Sequence, residues 1–336
     1  MKRVLIDVDL TAATLAQLRA TPGVEIDLAR PIEEEPRPLP AEQLRDVQAL
    51  FCSYPPTNAE DLQSLQWVQL ASVGFEQLLP WNLPARGVRA TNAQGVFDVP
   101  IGEWCMAMMI NMARDLSGMF RNQQQRVWDR DPRFQTEIRG RTVGFWGYGG
   151  LARETARLAQ AAGLKVHALA RGKLKTRDNV YCVPDTGDPD GVLPDRIFRP
   201  DQRQEFLGGL DFLVLALPLT PSTRGIVGAE ELRALSPRAI LLNPARGPLV
   251  DEKALVTALG EGWFAGAALD THHHYPLPAD HAFWSLPNVI VTPHISGSNM
   301  SPFFRDRVGE ICQINLQRFV QGEPLLNEIA ADQLSQ

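Results

Sequence analysis

Residues 142–153 read TVGFWGYGGLAR. Thr142–Trp146 has strand character and runs into Gly147-Tyr148-Gly149-Gly150-Leu151-Ala152, and a helical pattern, Ala152–Ala162, follows. GxGxxA set between a strand and a helix is the dinucleotide fingerprint of the Rossmann fold. Gly147 permits the tight turn. Gly149, lacking a Cβ, lets the backbone approach a pyrophosphate, and Ala152 is small enough for the helix to pack on the strand. The phosphates then face the unpaired N–H groups and the positive end of the helix dipole.

Outward from this motif, short apolar runs alternate with helical patterns. Strands are expected at Val4–Ile6, Ala49–Cys52, Trp67–Leu70, Lys165–Leu169, Phe212–Leu217, Ala239–Asn243, Gly266–Leu269 and Val289–Thr292, with a further helix at Glu252–Glu261. That alternation predicts an α/β protein with parallel sheets. From Ile101 to Asp115, the residues Ile101, Trp104, Cys105, Met108 and Met112 recur at helical spacing, and Met106, Met109 and Ile110 widen the stripe. A helix this apolar is a core helix or one that also packs between domains or on a second subunit. Residues 172–204 are rich in Gly, Pro, Asp and Arg and read as an insertion, expected as a surface excursion on the rim or as a functional loop.

The strand after the motif discriminates between dinucleotides. A carboxylate roughly 20 residues past the glycines would bind a ribose 2′-hydroxyl. Here Lys165–Leu169 is followed by Ala170 and Arg171, then by Lys173, Lys175 and Arg177. A guanidinium at Arg171 can hold a 2′-phosphate, which points to NADP ahead of NAD.

The bulk properties exclude several classes. The 336 residues suit two domains, and the net charge of −6 gives no basic footprint for nucleic acid. No apolar run approaches a membrane span, and Asp7 and Asp9 interrupt the first apolar stretch, which reads as a buried strand rather than a signal peptide. Cys52, Cys105, Cys182 and Cys312 lack metal or redox spacing and are expected as reduced thiols of a cytoplasmic protein. The run His272-His273-His274 does not have metal-ligand spacing, so no metal is expected.

Further segments carry a resemblance: LALPLTPSTRGIV at 215–227, ILLNPARGPLVD at 240–251, GAALD at 266–270 and PNVIVTPHISG at 287–297. With GYGGLA they resemble the D-isomer-specific 2-hydroxyacid dehydrogenases, glyoxylate/hydroxypyruvate reductases and phosphoglycerate dehydrogenases among them. Leu70–Gly74 resembles that family's substrate-carboxylate loop, and FVQGEPLLNEI at 319–329 its C-terminal return. The resemblance implies a doubly wound Rossmann cofactor domain, 99–297, and a discontinuous flavodoxin-like substrate domain, 1–98 with 298–336, closing around a small 2-oxo or 2-hydroxy acid. It also implies a homodimer with the 101–115 helix at its interface.

The resemblance assigns roles residue by residue. Arg246 orients the substrate, with Ser72, Val73 and Gly74 as further carboxylate donors. His294 passes a proton to the ketone oxygen as hydride arrives. Leu217, Pro218, Ala245, Asp270, His294 and Gly297 join Gly147–Ala152 and Arg171 around the cofactor, Asp270 at the nicotinamide carboxamide. One position departs. Where the family has a Glu paired with the catalytic His, before Pro276, this chain has Tyr275. A neutral hydroxyl raises an imidazole pKa far less than a carboxylate does, so His294 is expected to lose its proton at lower pH. Tyr275 with one of the neighbouring histidines is expected to line the substrate pocket. Two alternatives stay open: a formate-like hydride donor, because formate oxidation needs no proton shuttle, and a dinucleotide-sensing regulator without turnover.

Overall fold

The computed structural model describes residues 1–32 and 35–334. In chain order the elements are β1 (Lys2–Asp7), α1 (Ala12–Arg19), β2 (Val24–Leu28), α2 (Ala41–Leu44), β3 (Val47–Cys52), β4 (Trp67–Leu70), β5 (Arg89–Thr91), α3 (Asp98–Ala113), α4 (Leu116–Gln125), β6 (Thr142–Trp146), α5 (Gly150–Ala161) and β7 (Lys165–Leu169). There follow β8 (Arg196–Phe198), α6 (Arg203–Gly208), β9 (Phe212–Leu215), α7 (Ala229–Ala234), β10 (Ile240–Asn243), α8 (Glu252–Gly260), β11 (Gly266–Leu269), β12 (Val289–Val291) and α9 (Pro302–Gln321). The chain forms two units: Met1–Phe97 with Asp178–Val183 and Asn299–Gln336, and Asp98–Arg177 with Pro184–Ser298.

The first unit holds a five-stranded parallel sheet, order β2-β1-β3-β4-β5. Its inner strands are apolar on both faces because both are covered. Val4 and Ile6 of β1 join Phe51, Trp67, Ile311 and Leu316 on one side, while Leu5 joins Leu44, Leu50, Leu62 and Val68 on the other. Asp178–Val183, from the stretch read as an insertion, is built into this unit. Tyr181 is buried, its N–H donates to Asn327 Oδ1 (2.9 Å), and its carbonyl sits where a side chain on Gly95 would be. The stretch is therefore not a loose excursion on the rim.

The second unit is a seven-stranded parallel sheet, order β12-β11-β10-β9-β6-β7-β8. Strand order reverses between β6 and β9, which makes that point the crevice where open α/β sheets bind ligands. The apolar helix α3 begins before and ends before the predicted limits, and Asp115 caps α4 instead. Its buried face joins Cys105 and Met109 of the predicted stripe to Gly102 and Ala113, and Trp104, Met108 and Met112 are only partly covered. A Cβ on Gly102 would come within 3.0 Å of the Glu154 side chain, so α3 lies closely on α5.

Candidate active site

The second unit brings its candidate residues together at the C-terminal ends of adjacent strands: Gly147 after β6, Leu217 beyond β9, Arg246 after β10, Asp270 after β11 and His294 after β12. At the glycine turn, Gly147 has φ +89°, and a Cβ would fall 2.6 Å from the Ala216 carbonyl. Nothing lies within 4 Å of the place where Gly149 would carry a side chain, so that face is open. The turn thus fits a dinucleotide phosphate. Gly150 differs, because the space beside it is filled by the Asp98 carboxylate, so its lack of a side chain serves packing. Ala152 is fully buried against the sheet.

At the end of β7, Arg171 is exposed and makes no ion pair among the described residues. Arg199 follows β8, the neighbouring strand, and is also exposed, a second cation that sequence reading passed over. Leu217 is partly buried and Pro218 exposed beside the glycine turn, while Ala245 is buried under the β10 turn.

Arg246 owes its place to Asn243, the last residue of β10. Asn243 Oδ1 accepts the N–H groups of Ala245 (3.2 Å) and Arg246 (3.3 Å), and its Nδ2 donates to the Arg246 carbonyl (2.9 Å). The Arg246 guanidinium donates to the Ala245 carbonyl (2.8 Å) and meets no carboxylate among the described residues. Gly247 packs directly on the His272 backbone, where a Cβ would lie 2.3 Å away, so this turn touches the Asp270–Tyr275 loop.

Asp270 is fully buried. Its Oδ1 accepts from the Thr292 hydroxyl (2.5 Å) and the Ile295 N–H (2.9 Å), its Oδ2 from the Ser296 N–H (3.0 Å), and its carbonyl accepts the His294 N–H (2.8 Å). Asp270 therefore shapes the turn that carries His294, which takes a left-handed φ of +57°. Gly297, partly buried, closes that turn.

Tyr275 meets His294 ring to ring, centroids 5.5 Å apart, and not through its hydroxyl. The hydroxyl accepts the His272 N–H (3.1 Å). Two of the other histidines fasten the loop, while His274 is exposed. Buried His272 bonds the Thr292 carbonyl (2.9 Å) and His273 the Val250 carbonyl (3.0 Å). Partial burial pushes the His294 pKa below the ordinary imidazole value. Asp270 opposes this, and the positive Arg246 and the nearby His272 add to it. Burial raises the Tyr275 phenol, so it is neutral near pH 7.

In the first unit, Ser72–Gly74 follows β4. The Ala93 N–H donates to the Ser72 carbonyl (2.9 Å), Asn92 Nδ2 to the Val73 carbonyl (2.8 Å) and the Ser72 hydroxyl to the Gly74 carbonyl (2.8 Å). Carbonyl and N–H point opposite ways across a trans peptide. With these carbonyls bonded within the unit, each N–H of Val73, Gly74 and Phe75 lies on the far side of its own peptide. Asn92, Gln77 (Nε2 to Ser72 Oγ, 3.0 Å) and Asn243 are residues that sequence reading missed, since a lone amide side chain carries no motif.

The family model for the D-isomer specific 2-hydroxyacid dehydrogenase NAD binding domain matches residues 106–296. The chain belongs to that dehydrogenase family. It is similar to the glyoxylate reductase of Thermofilum pendens, 30% identical with 83% of this chain and 80% of that protein covered. A glyoxylate reductase of Thermococcus gammatolerans is 30% identical over 91% and 92%. Among solved structures, a D-isomer specific 2-hydroxyacid dehydrogenase from Xanthobacter autotrophicus in complex with NADPH and MES has a TM-score of 0.77 at 26% identity, covering 99% of each chain. An NADPH-dependent glyoxylate/hydroxypyruvate reductase from Sinorhizobium meliloti has a TM-score of 0.77 at 25% identity, covering 98% of each. This 2-hydroxyacid dehydrogenase is thus an NAD(P)-dependent oxidoreductase with a Rossmann-type cofactor unit. Among the described residues, no helix is long and apolar enough to cross a membrane.

Proposed function

We propose that this dehydrogenase reduces a small 2-oxo acid, in the glyoxylate to hydroxypyruvate range, to its D-2-hydroxy acid, with NADP(H) preferred over NAD(H). The observation that carries the reading is the placement of a guanidinium with no carboxylate partner among the described residues, Arg246 after β10, and the His294 imidazole after β12, on the same edge of the dinucleotide sheet with only β11 between them. Gly147–Ala152, Leu217, Pro218, Ala245, Asp270 and Gly297 hold the cofactor, whose nicotinamide supplies the hydride when bound. Arg246 holds the substrate's carboxylate and carbonyl in a fork, which orients the ketone carbon. In the first unit, Val73 and Gly74, with Ser72 bracing their turn, are assigned as carboxylate donors by the resemblance. His294 gives its proton to the ketone oxygen and takes one back in the reverse direction.

Tyr275 stands, in this reading, where relatives carry the His-paired Glu. It supplies a ring face and no charge. The absence of a carboxylate within 4.0 Å of the His294 ring, among the described residues, favours formate oxidation as a second reading. For the cofactor, exposed Arg171 and Arg199 at neighbouring strand ends support NADP. Exposed Ile110, Phe120, Val127 and Trp128 on α3, α4 and the loop beyond support a homodimer through that face.

The deciding experiment is turnover of a panel of 2-oxo acids, from glyoxylate to aryl-substituted ones, with NADPH and NADH separately. Glyoxylate or hydroxypyruvate reduction is expected, faster with NADPH, and Arg246→Ala should lower kcat/KM by about 10³-fold, as when a clamp and its orientation are lost. Formate oxidation without 2-oxo acid reduction would establish the second reading. Binding of either dinucleotide without turnover of any substrate would make the protein a sensor.

A further inference from the structure

Beneath the glycine turn lies a buried cluster that the reaction does not use: Tyr148, Arg153, Glu154 and Asp188, all in the second unit and each less than a tenth exposed. A buried guanidinium is costly unless its donors are met. Those of Arg153 go to backbone. Nε donates to the Tyr148 carbonyl (3.3 Å), Nη1 to the carbonyls of Asp188 and Pro189 (3.1 Å for Pro189), and Nη2 to that of Lys175 (2.6 Å). The Asp188 carboxylate accepts the Tyr148 hydroxyl (2.8 Å) and the N–H groups of Val192 (2.9 Å) and Leu193 (3.1 Å). Glu154 takes the Gly187 N–H (2.6 Å), and Arg177 pairs with Asp98 (2.8 Å).

Two consequences follow for the dinucleotide site assigned above. With the Tyr148 carbonyl drawn toward Arg153, the Gly149 N–H on the same trans peptide points the opposite way, and the place where a Gly149 side chain would stand is open. The second consequence concerns the loop after β7. It is tied down at the Lys175 carbonyl and the Arg177 side chain, while the side chains of Arg171, Lys173 and Lys175 stay exposed.

We infer that Arg153 and Asp188 are positioning residues for the cofactor: they make the inserted segment a fixed wall that aims the Gly149 N–H at the pyrophosphate and holds the basic loop for the 2′-phosphate. The inference rests on the dinucleotide reading of the glycine turn. Neither residue touches the reacting atoms, so their loss belongs in affinity and not in the chemical step.

The test is fluorescence titration of the full-length protein with NADPH and with NADH, together with kcat at saturating cofactor and the melting temperature. The variants are Arg153→Met, Arg153→Lys, Asp188→Asn and Tyr148→Phe. Each Arg153 variant and Asp188→Asn should raise the Kd for NADPH by about fivefold or more, the scale of one or two lost hydrogen bonds, and the Kd for NADH by less. Arg153→Lys keeps the charge but not the fork, and should fail to rescue. Tyr148→Phe removes one hydroxyl and decides the matter if an Arg153 variant does not fold. It should weaken both dinucleotides by about twofold to threefold. The Arg153 and Asp188 variants should keep kcat within about twofold. Unchanged Kd values in folded variants would overturn the inference and leave the cofactor reading standing, as would a fall in kcat at constant Kd. A wild-type protein that binds neither dinucleotide would overturn both.

Discussion

His294 is held by its neighbours rather than by a partner of its own. Asp270 fixes the backbone of His294 and of the two residues after it, and the Tyr275 ring lies beside its imidazole. Asp270's charge favours the imidazolium, but burial, with the positive Arg246 and the nearby His272, outweighs it, and the pKa is lowered. The sign for the reaction is direct. Reduction needs the protonated ring, and a lowered pKa means that this form is lost at lower pH as pH rises. The pH–rate profile for 2-oxo acid reduction should therefore fall off below about pH 6.5, the unperturbed imidazole value. Tyr275→Glu should move that fall upward by about one unit or more, because a carboxylate beside imidazole stabilises its charged form. A wild-type limb well above pH 8 would contradict the lowered pKa, and an unmoved limb in Tyr275→Glu would remove Tyr275 from the acid–base pair.

At the scale of elements, the glycine turn shows what sequence can carry. Thr142–Trp146, the turn and α5 were legible because Gly147 must take φ +89° against the Ala216 carbonyl, a constraint that leaves a glycine at a fixed offset from an apolar strand. Gly147→Ala should cost about 1–3 kcal/mol from the left-handed backbone, with the clash added to that, and should abolish dinucleotide binding. Thermal unfolding and the titration described above measure the two effects, and a variant with wild-type affinity would show that the turn does not hold the phosphates. Other elements were not legible. Val24-Glu25-Ile26-Asp27-Leu28 is an edge strand whose charges fall on the open side, and Arg89–Thr91 and Arg196–Phe198 are too short for an alternation to register. The part of the α3 face formed by Gly102, which lies close on α5, was not legible because a glycine carries no hydrophobic signal. Asn243 and Asp188 were missed because they bond backbone groups a few residues on, which leaves no motif, and Asn92 and Arg153 because they reach carbonyls that only the fold brings near.

At the scale of the whole molecule, the apolar surface that one chain leaves uncovered remains to be placed. Trp128 is 91% exposed, Phe120 60% and Val127 50%, and Trp128 and Val127 line one recess with Met119 and Phe134. They follow α3, whose Ile110 is also uncovered. Single exposed apolar residues are ordinary, but a run of large ones beside an apolar helix marks an association surface. The flanking Arg126, Arg130, Asp129 and Asp131 provide charges of both signs, which suits a surface that meets its own copy across a two-fold axis. Light scattering should therefore give twice the 37.2 kDa chain mass. Trp128→Asp combined with Phe120→Asp should place two carboxylates of each chain at that interface and shift the mass to one chain, with the secondary structure retained. A wild-type monomer, or a dimer indifferent to both substitutions, would mean that this face meets something other than a second copy.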